Sequence, residues 1–149
     1  MYANILLSTD GSEVARKGLK NGLALAKALN AKATVMTVSE PLPTAMGAGR
    51  AVWVPSQSEI DRYDAANSEH AAKLFDETRA IAEQIGVSIE LLHVSHVHPA
   101  TAIIETAKSR GCDLIIMGSH GRRGLSKLFV GSQTSAVLAD GSVPVLVVH

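Results

Sequence analysis

The chain has 149 residues, the size of a single domain, and a domain of that length buries roughly 70% of its unfolded surface. Lys plus Arg and Asp plus Glu number 14 each, so no net charge attracts nucleic acid or anionic lipid over long range. Aromatic residues make up 3%, too few to form a stacking platform for single-stranded nucleic acid. We therefore expect one domain over residues 1–149, with no nucleic-acid partner.

The single cysteine, Cys112, excludes an internal disulfide and is most simply a small apolar filler. The first residues lack the basic stretch and long apolar core of a signal peptide. No run reaches the roughly 18 apolar residues that a membrane span needs. These observations predict a cytoplasmic protein without membrane association.

The first elements are two strands on either side of a helix. Asn4–Ser8 predicts a strand, and Lys32–Ser39 predicts a second one. Between them, Ser12 can cap a helix that ends at Asn30, because its hydroxyl can accept a hydrogen bond from a first-turn N–H. The apolar residues of that helix recur at helical spacing: Ala15, Leu19, Leu23, Ala26 and Leu29. This order predicts a parallel strand pair with a right-handed crossover.

An irregular segment, Pro41–Ser58, follows and contains the only tryptophan, Trp53. Its length of about eighteen residues is unusual for a loop in a compact domain, and such loops are often functional or mobile. Trp53 either covers a ligand or contacts a partner, or it pins the loop to its own domain, which is the simpler interpretation.

The second half of the chain continues to alternate helices and strands. The predicted elements are a helix over Glu59–Gln84 with Gly86 as its C-cap, a strand over Val87–Ser95, a helix opened by Pro99 and ended by Gly111, a strand over Asp113–Met117, a helix over Ser132–Ala139 and a strand over Pro144–Val148. Five strands alternating with four helices predict an α/β protein with an open five-stranded parallel sheet and helices on both faces. We expect the strand order 3-2-1-4-5.

A glycine-rich segment between the fourth strand and the last helix holds the strongest functional pattern. It reads Gly118-Ser-His-Gly121-Arg-Arg-Gly124-Leu-Ser-Lys-Leu-Phe-Val-Gly131-Ser132. Glycines after a strand and a Gly-Ser pair at a helix start are typical of a phosphate cradle. Arg122, Arg123 and Lys127, with no acidic residue among them, would screen phosphate charge. The segment is neither a Walker A motif nor a dinucleotide-binding Gly-x-Gly-x-x-Gly.

A ligand of such a sheet binds beyond the carboxyl ends of the strands, where the strand order reverses. With the expected order, the turn at Thr9–Ser12 meets the segment from Gly118 at that point. Asp10 either accepts hydrogen bonds from a ribose or adenine or only shapes the turn, and Val38 either lines the base or belongs to the core. His120 either bonds a phosphate or shapes its loop. The candidate nucleotide-binding residues are Thr9, Asp10, Val38, Met117, Gly118, His120, Gly121, Arg122, Arg123, Gly124, Gly131, Ser132, Gln133 and Thr134; no catalytic residue is assigned.

At these residues the chain resembles the universal stress protein family. The resemblance covers nearly the whole chain, including Asp10-Gly11-Ser12, Asp113-Leu-Ile-Ile-Met-Gly-Ser-His-Gly121 and Ser142-Val-Pro-Val-Leu-Val-Val148. The family's ATP-binding pattern is Gly, two residues, Gly, nine residues, Gly, then Ser or Thr. It is complete here in Gly118, Gly121, Gly131 and Ser132, as in the ATP-binding branch of the family.

The resemblance implies a Rossmann-like, adenine nucleotide α-hydrolase-like fold over a single universal stress protein domain. It implies a dimeric regulatory protein of the stress response that binds ATP, or ADP or AMP, with Mg²⁺ as an optional companion. Asp10 and Val38 would lie near the adenosine. It also implies a homodimer paired through the C-terminal strand, Val143 to Val148. Two alternatives stay open: a slow ATPase or nucleotide hydrolase, and a dimeric interaction module without a ligand.

Two departures from the family pattern stand out. Gln133 occupies a position where a small apolar residue is common, which could alter the phosphate contacts. The turn Ser95-His-Val-His-Pro99 replaces a turn that often has a glycine or acidic residue before the proline. That turn belongs to a group of three histidines, His93, His96 and His98, but no cysteine or carboxylate cluster joins them. We expect no metal site.

Overall fold

The computed structural model describes residues 1–43, 54–120 and 130–149. The strands are β1 (Asn4–Ser8), β2 (Lys32–Ser39), β3 (Ile89–Ser95), β4 (Leu114–Gly118) and β5 (Val145–Val148). The helices are α1 (Glu13–Leu29), α2 (Gln57–Ile85), α3 (Pro99–Ser109) and α4 (Ser132–Asp140). Expectations that concern Trp53, Lys127 and the loop residues 121–124 fall outside the described residues.

The five strands form one parallel sheet in the order β3-β2-β1-β4-β5, which confirms the predicted topology. β1 lies in the middle, where Leu6 is in register with Thr34 on one side and Ile115 on the other. The strand order reverses between β1 and β4. β2 and β3 lie on one side of β1, while β4 and β5 lie on the other side. The strand-order reversal that the ligand argument needs is therefore present.

Each face of the sheet is covered by two helices, because the central strands are apolar on both sides. Ile5 and Leu7 of β1 pack with residues of α1 and α2, whereas Leu6 packs with residues of α3 and α4. All three are at most 1% exposed. The two cores thus separate along β1 by the alternation of side chains in a strand.

The helix ends agree with their predicted signals. Ser12 Oγ accepts a hydrogen bond from the Ala15 N–H at 3.2 Å and caps α1. Asn30 ends α1 in the left-handed conformation with φ of 51°, and Gly86 ends α2 with φ of 77°. Pro99 opens α3, where its missing N–H costs nothing.

Several predicted boundaries were wrong by one or two residues, for local reasons. α2 starts at Gln57 rather than Glu59, because the Glu59 carboxylate turns back to accept the Ser56 N–H at 2.7 Å. This hydrogen bonding with Ser56 holds the pKa of Glu59 below its usual value. β3 starts after Val87, because the Val87 N–H closes the end of α2 on Ala82 O at 3.0 Å.

The other shifted boundaries lie in the last third of the chain. β4 runs from Leu114 to Gly118, one residue later than predicted, since Asp113 turns its carboxylate to the start of β1. α4 continues to Asp140, and Gly141 ends it with φ of 63°. β5 begins after Pro144, whose carbonyl accepts the Ile115 N–H at 2.9 Å. Within the described ranges, no helix is long and apolar enough to cross a membrane.

Candidate functional site

A cavity of about 560 Å³ opens at the carboxyl edge of the sheet, at the strand-order reversal. Its walls come from the ends of β1, β2 and β4, one face of α2, and the first turns of α3 and α4. Of the predicted residues, it is lined by Asp10, Val38, Met117, Gly118, His120, Gly131, Ser132, Gln133 and Thr134. The structure therefore brings together the two turns that the sequence argument placed side by side. Gly121, Arg122, Arg123 and Gly124 lie outside the described residues.

Thr9 does not line this cavity. Its side chain is 3% exposed, and its Oγ1 accepts the Gly11 N–H at 3.3 Å while its own N–H donates to Met36 O at 3.0 Å. Thr9 thus holds the turn after β1 against β2. Its side chain is directed into the protein, and a ligand contact by Thr9 stays a prediction.

Asp10 shapes the turn after β1 and lies at the cavity; its contact with a ribose or adenine stays a prediction. Its Oδ1 accepts the Ser12 N–H at 3.0 Å, which is an Asx-turn that leads into α1. The residue also lines the cavity. Gly11 lies between Asp10 and Ser12 and allows this turn, because its φ of 79° is a conformation that favours glycine. The carboxylate is therefore oriented by its own turn at the mouth of the site.

The start of α4 presents backbone donors to the same space. Its N-cap is Gly131, which has no side chain to satisfy the first-turn N–H groups of Ser132, Gln133 and Thr134. The Gly131 N–H itself donates to Ser119 O at 2.7 Å, so the donors left at this turn are those of the residues that follow it. Thr134 Oγ1 donates to Gly118 O at 2.9 Å and ties this turn to the end of β4. The helix start is thereby held in place beside the strand.

Packing of the protein's own backbone favours glycine at positions 118 and 131. A Cβ at Gly118 would lie 3.1 Å from Val14 Cγ1 and 3.2 Å from Ala15 N, so glycine is needed where α1 crosses the end of β4. A Cβ at Gly131 would lie 3.2 Å from His120 Cα. Both glycines therefore allow close approach of the protein's own backbone beside the cavity.

A buried hydroxyl orients His120. Ser119 is 1% exposed, and its Oγ lies 3.0 Å from His120 Nδ1, its recorded hydrogen-bond partner in the described part of the chain. If Nδ1 carried the proton, the buried hydroxyl hydrogen would have no acceptor there, at a cost of about 1–3 kcal/mol. We therefore expect the proton on Nε2, with Nδ1 as the acceptor of the Ser119 hydroxyl. His120 also lines the cavity.

One wall of the cavity was missed by the sequence analysis. Tyr63, Asn67, His70 and Ala71 of α2 line it, and Tyr63 Oη donates to Glu40 O at 2.9 Å, which holds α2 against the end of β2. Their spacing is that of one helical face. That spacing was a usable signal, but nothing in the sequence says which face of α2 turns toward the carboxyl edge.

The histidines near β3 make separate contacts. His93 Nε2 lies 2.7 Å from Ser39 Oγ, and burial lowers the pKa of His93. His96 Nε2 lies 3.2 Å from the Asp64 carboxylate. Across residues 1–43, 54–120 and 130–149, no three His, Cys, Asp or Glu side chains are grouped to hold a metal ion. These histidines instead connect β3 and its following turn to β2 and α2.

A doubly wound parallel sheet with a cavity at the strand-order reversal, beside a helix start, is the architecture of nucleotide-binding α/β proteins. The model of the universal stress protein family matches residues 1–149, and the chain belongs to that family. A universal stress protein from Thermus aquaticus is 32% identical over 149 residues, covering 100% of both chains.

Solved structures share the fold. The universal stress protein UspA from Lactobacillus plantarum aligns with a TM-score of 0.81 at 22% identity, over 99% of this chain and 98% of that one. A universal stress protein solved in complex with cAMP aligns with a TM-score of 0.69 at 24% identity, over 99% and 97% of the two chains. At these identities the likeness establishes the common fold.

Proposed function

We propose that this chain is a regulatory stress-response protein that binds an adenine nucleotide, ATP or its di- or monophosphate, in the cavity at the carboxyl edge. The observation that carries the proposal is the meeting of an oriented carboxylate, Asp10, with the uncapped start of α4 at the strand-order reversal. A carboxylate suits ribose or adenine donors, and helix-start N–H groups suit phosphate. The two ends of the cavity therefore match the two ends of a nucleotide.

The size and lining of the cavity fit this ligand class. Its volume of about 560 Å³ is within the range of roughly 300–1,000 Å³ for small-molecule sites. Val38 and Met117 supply apolar surface for a base, and Ser132 to Thr134 supply donors for phosphate. Mg²⁺ would enter with the phosphate oxygens as its ligands. The protein solved in complex with cAMP shares this fold, which supports an adenine nucleotide as the ligand.

We also propose a homodimer through β5. Among the residues that the structure describes, β5 has a strand partner on one side only, β4, and Leu146 on it is 40% exposed. An open apolar edge strand favours association unless another chain covers it. Substituting Leu146→Lys should convert the dimer to a monomer at micromolar concentration, measured by light scattering, whereas Val54→Lys, at a residue 76% exposed before α2, should not. A dimer that survives Leu146→Lys would contradict this arrangement.

Binding is tested by native mass spectrometry of the purified protein and by calorimetry with ATP. We expect a nucleotide mass on the native protein and micromolar affinity, about −8 kcal/mol. Gly131→Val should weaken binding at least tenfold, because its side chain would press on His120 and displace the start of α4. Ser135→Val, on the exposed side of the same helix, is the matched control. Equal ATP affinity in the wild type and the Gly131 variant would refute the site.

A further inference from the structure

Gln133 lines the cavity and also contacts the neighbouring helix α3. It is the second residue of α4, and its side chain lines the cavity. Its Oε1 accepts the Ala100 N–H at 2.9 Å, although the two residues are 33 positions apart. Ala100 is the second residue of α3, and the N-cap of that helix, His98, makes no side-chain cap hydrogen bond. The amide of Gln133 therefore caps α3 from the neighbouring helix.

This contact determines which way the amide faces. A backbone N–H can only donate, so the atom opposite Ala100 N must be the oxygen of the amide and not its nitrogen. Because Oε1 and Nε2 branch from the same carbon atom, Nε2 then points away from the Ala100 N–H. The residues that the structure describes offer no recorded acceptor for Nε2. Two N–H donors of a partly buried side chain are thus left beside the first turn of α4.

We propose that Gln133 contacts the phosphate of the bound nucleotide, with Oε1 anchored on α3 and Nε2 donating to the anion. The inference rests on the proposed function, since it needs a nucleotide whose phosphate lies at the start of α4. It assigns a role to the residue that departs from the family pattern. One side chain then links the ligand to the first turn of α3, whose Pro99 and Ile103 also line the cavity.

Two substitutions separate the anchoring role from the phosphate contact. Gln133→Glu keeps the shape and an oxygen for the Ala100 N–H, but it replaces the NH₂ donor with a negatively charged oxygen. A carboxylate there is also compatible with two helix starts. Gln133→Ala removes both the acceptor for α3 and the donor for the ligand. The two variants should therefore rank in opposite order for stability and for ATP binding.

The test is calorimetry of ATP and of adenosine with the full chain, together with thermal unfolding without nucleotide. In Gln133→Glu we expect ATP to bind about tenfold more weakly or worse, since like charges meet at close range. Adenosine affinity should stay within about twofold, and the unfolding midpoint should not fall. In Gln133→Ala the midpoint should fall by about 2–4 °C from the lost cap. Its loss of ATP affinity should be smaller than that of the Glu variant.

Each other outcome overturns the proposal. ATP affinity unchanged in Gln133→Glu would mean that Nε2 does not face the phosphate, while the nucleotide site itself would stand. Equal losses for ATP and adenosine in that variant would mean that the substitution deforms the cavity rather than repels the anion. A wild-type protein that binds neither ATP nor adenosine would refute the proposed function, and this inference with it. Gln133→Glu carries the test even if Gln133→Ala fails to fold.

Discussion

The two edges of the sheet each carry a cavity of comparable size, and only the one at the carboxyl edge is the candidate site. The amino edge has a cavity of about 710 Å³, against about 560 Å³ at the carboxyl edge. At the amino edge the polar groups satisfy one another: Asn4 Nδ2 donates to Arg110 O at 2.8 Å, and Arg110 pairs with Glu90 at 2.7 Å. At the carboxyl edge, two helix starts face the cavity. Volume therefore says less about a ligand site than the direction of the helices around it.

Two aspartates make this comparison concrete. Asp10 follows β1 at the carboxyl edge, and Asp113 precedes β4 at the amino edge. Both carboxylates accept backbone N–H groups, Asp10 from Ser12 and Asp113 from Ala3 and Asn4. We infer that the same side chain serves a ligand at one edge and only the fold at the other, because Asp10 also lines the candidate site.

The largest expected effect comes from Asp10→Ala. Loss of the carboxylate should weaken nucleotide binding about tenfold or more, since a charged hydrogen bond contributes about 1.5–3 kcal/mol. Asp113→Ala is the matched control and should leave the nucleotide affinity within about twofold. Calorimetry with ATP on the two variants measures both. Equal losses of nucleotide affinity in the two variants would contradict a binding site at the carboxyl edge.

A smaller effect is expected at Asp113, on stability and its pH dependence. The backbone N–H of Ala3 holds the pKa of the Asp113 carboxyl below its usual value. A group with a lowered folded-state pKa contributes stability above its unfolded-state pKa, about 3.9, and loses that contribution as the pH falls through the folded-state pKa. Asp113→Asn should therefore destabilise the fold at pH 7 by about 1 kcal/mol, a value reduced for solvent screening.

The measurement for Asp113 is chemical denaturation at pH 7 and pH 3. The difference between the wild type and Asp113→Asn should shrink at pH 3, because below the unfolded-state pKa of about 3.9 the unfolded wild-type chain binds a proton at Asp113. Asp61→Asn, on the exposed part of α2, should show no comparable difference at pH 7. A gap between wild type and Asp113→Asn that widens toward acid would contradict the assigned hydrogen bonds.

The smallest effect is expected from Ser119→Ala, which removes the hydroxyl beside His120 Nδ1. The neutral imidazole should change from nearly all Nε2–H to a mixture of both tautomers, which nitrogen chemical shifts of the two ring atoms report directly. ATP affinity should fall by about two- to threefold. Ser119→Thr keeps a hydroxyl and should keep the Nε2–H form. If the wild-type ring already shows the Nδ1–H form, the orientation deduced from the buried hydroxyl is wrong.

The order of the strands and the ends of the helices were predictable because their signals are local. Ser12, Asn30 and Gly86 act on helices within a few residues of themselves, and the apolar runs of β1 and β4 report burial on both faces. The strand-order reversal then placed Asp10 and Gly118 in one region. This much of the site follows from topology and needs no side-chain geometry.

Other parts of the site depend on contacts between distant positions. The Gly131 N–H donates to Ser119 O, and the Tyr63 hydroxyl of α2 donates to Glu40 O. The side-chain oxygen of Gln133 accepts the Ala100 N–H. Each of these partners lies at least a dozen residues away along the chain. No periodicity or motif predicts such a pair, since it arises only when two helices and a sheet edge have packed together.

For this protein, the sequence alone determined the alternating elements, the parallel sheet and the turn residues that carry a nucleotide-type pattern. These features follow from side-chain periodicity and capping, which act over one or two turns of chain. Only the tertiary structure decided which of the pattern's donors remain available, why positions 118 and 131 favour glycine, and that α2 forms one wall of the cavity. The reason is physical: hydrogen-bond satisfaction and close packing are set by distances in space, and the sequence records only distances along the chain.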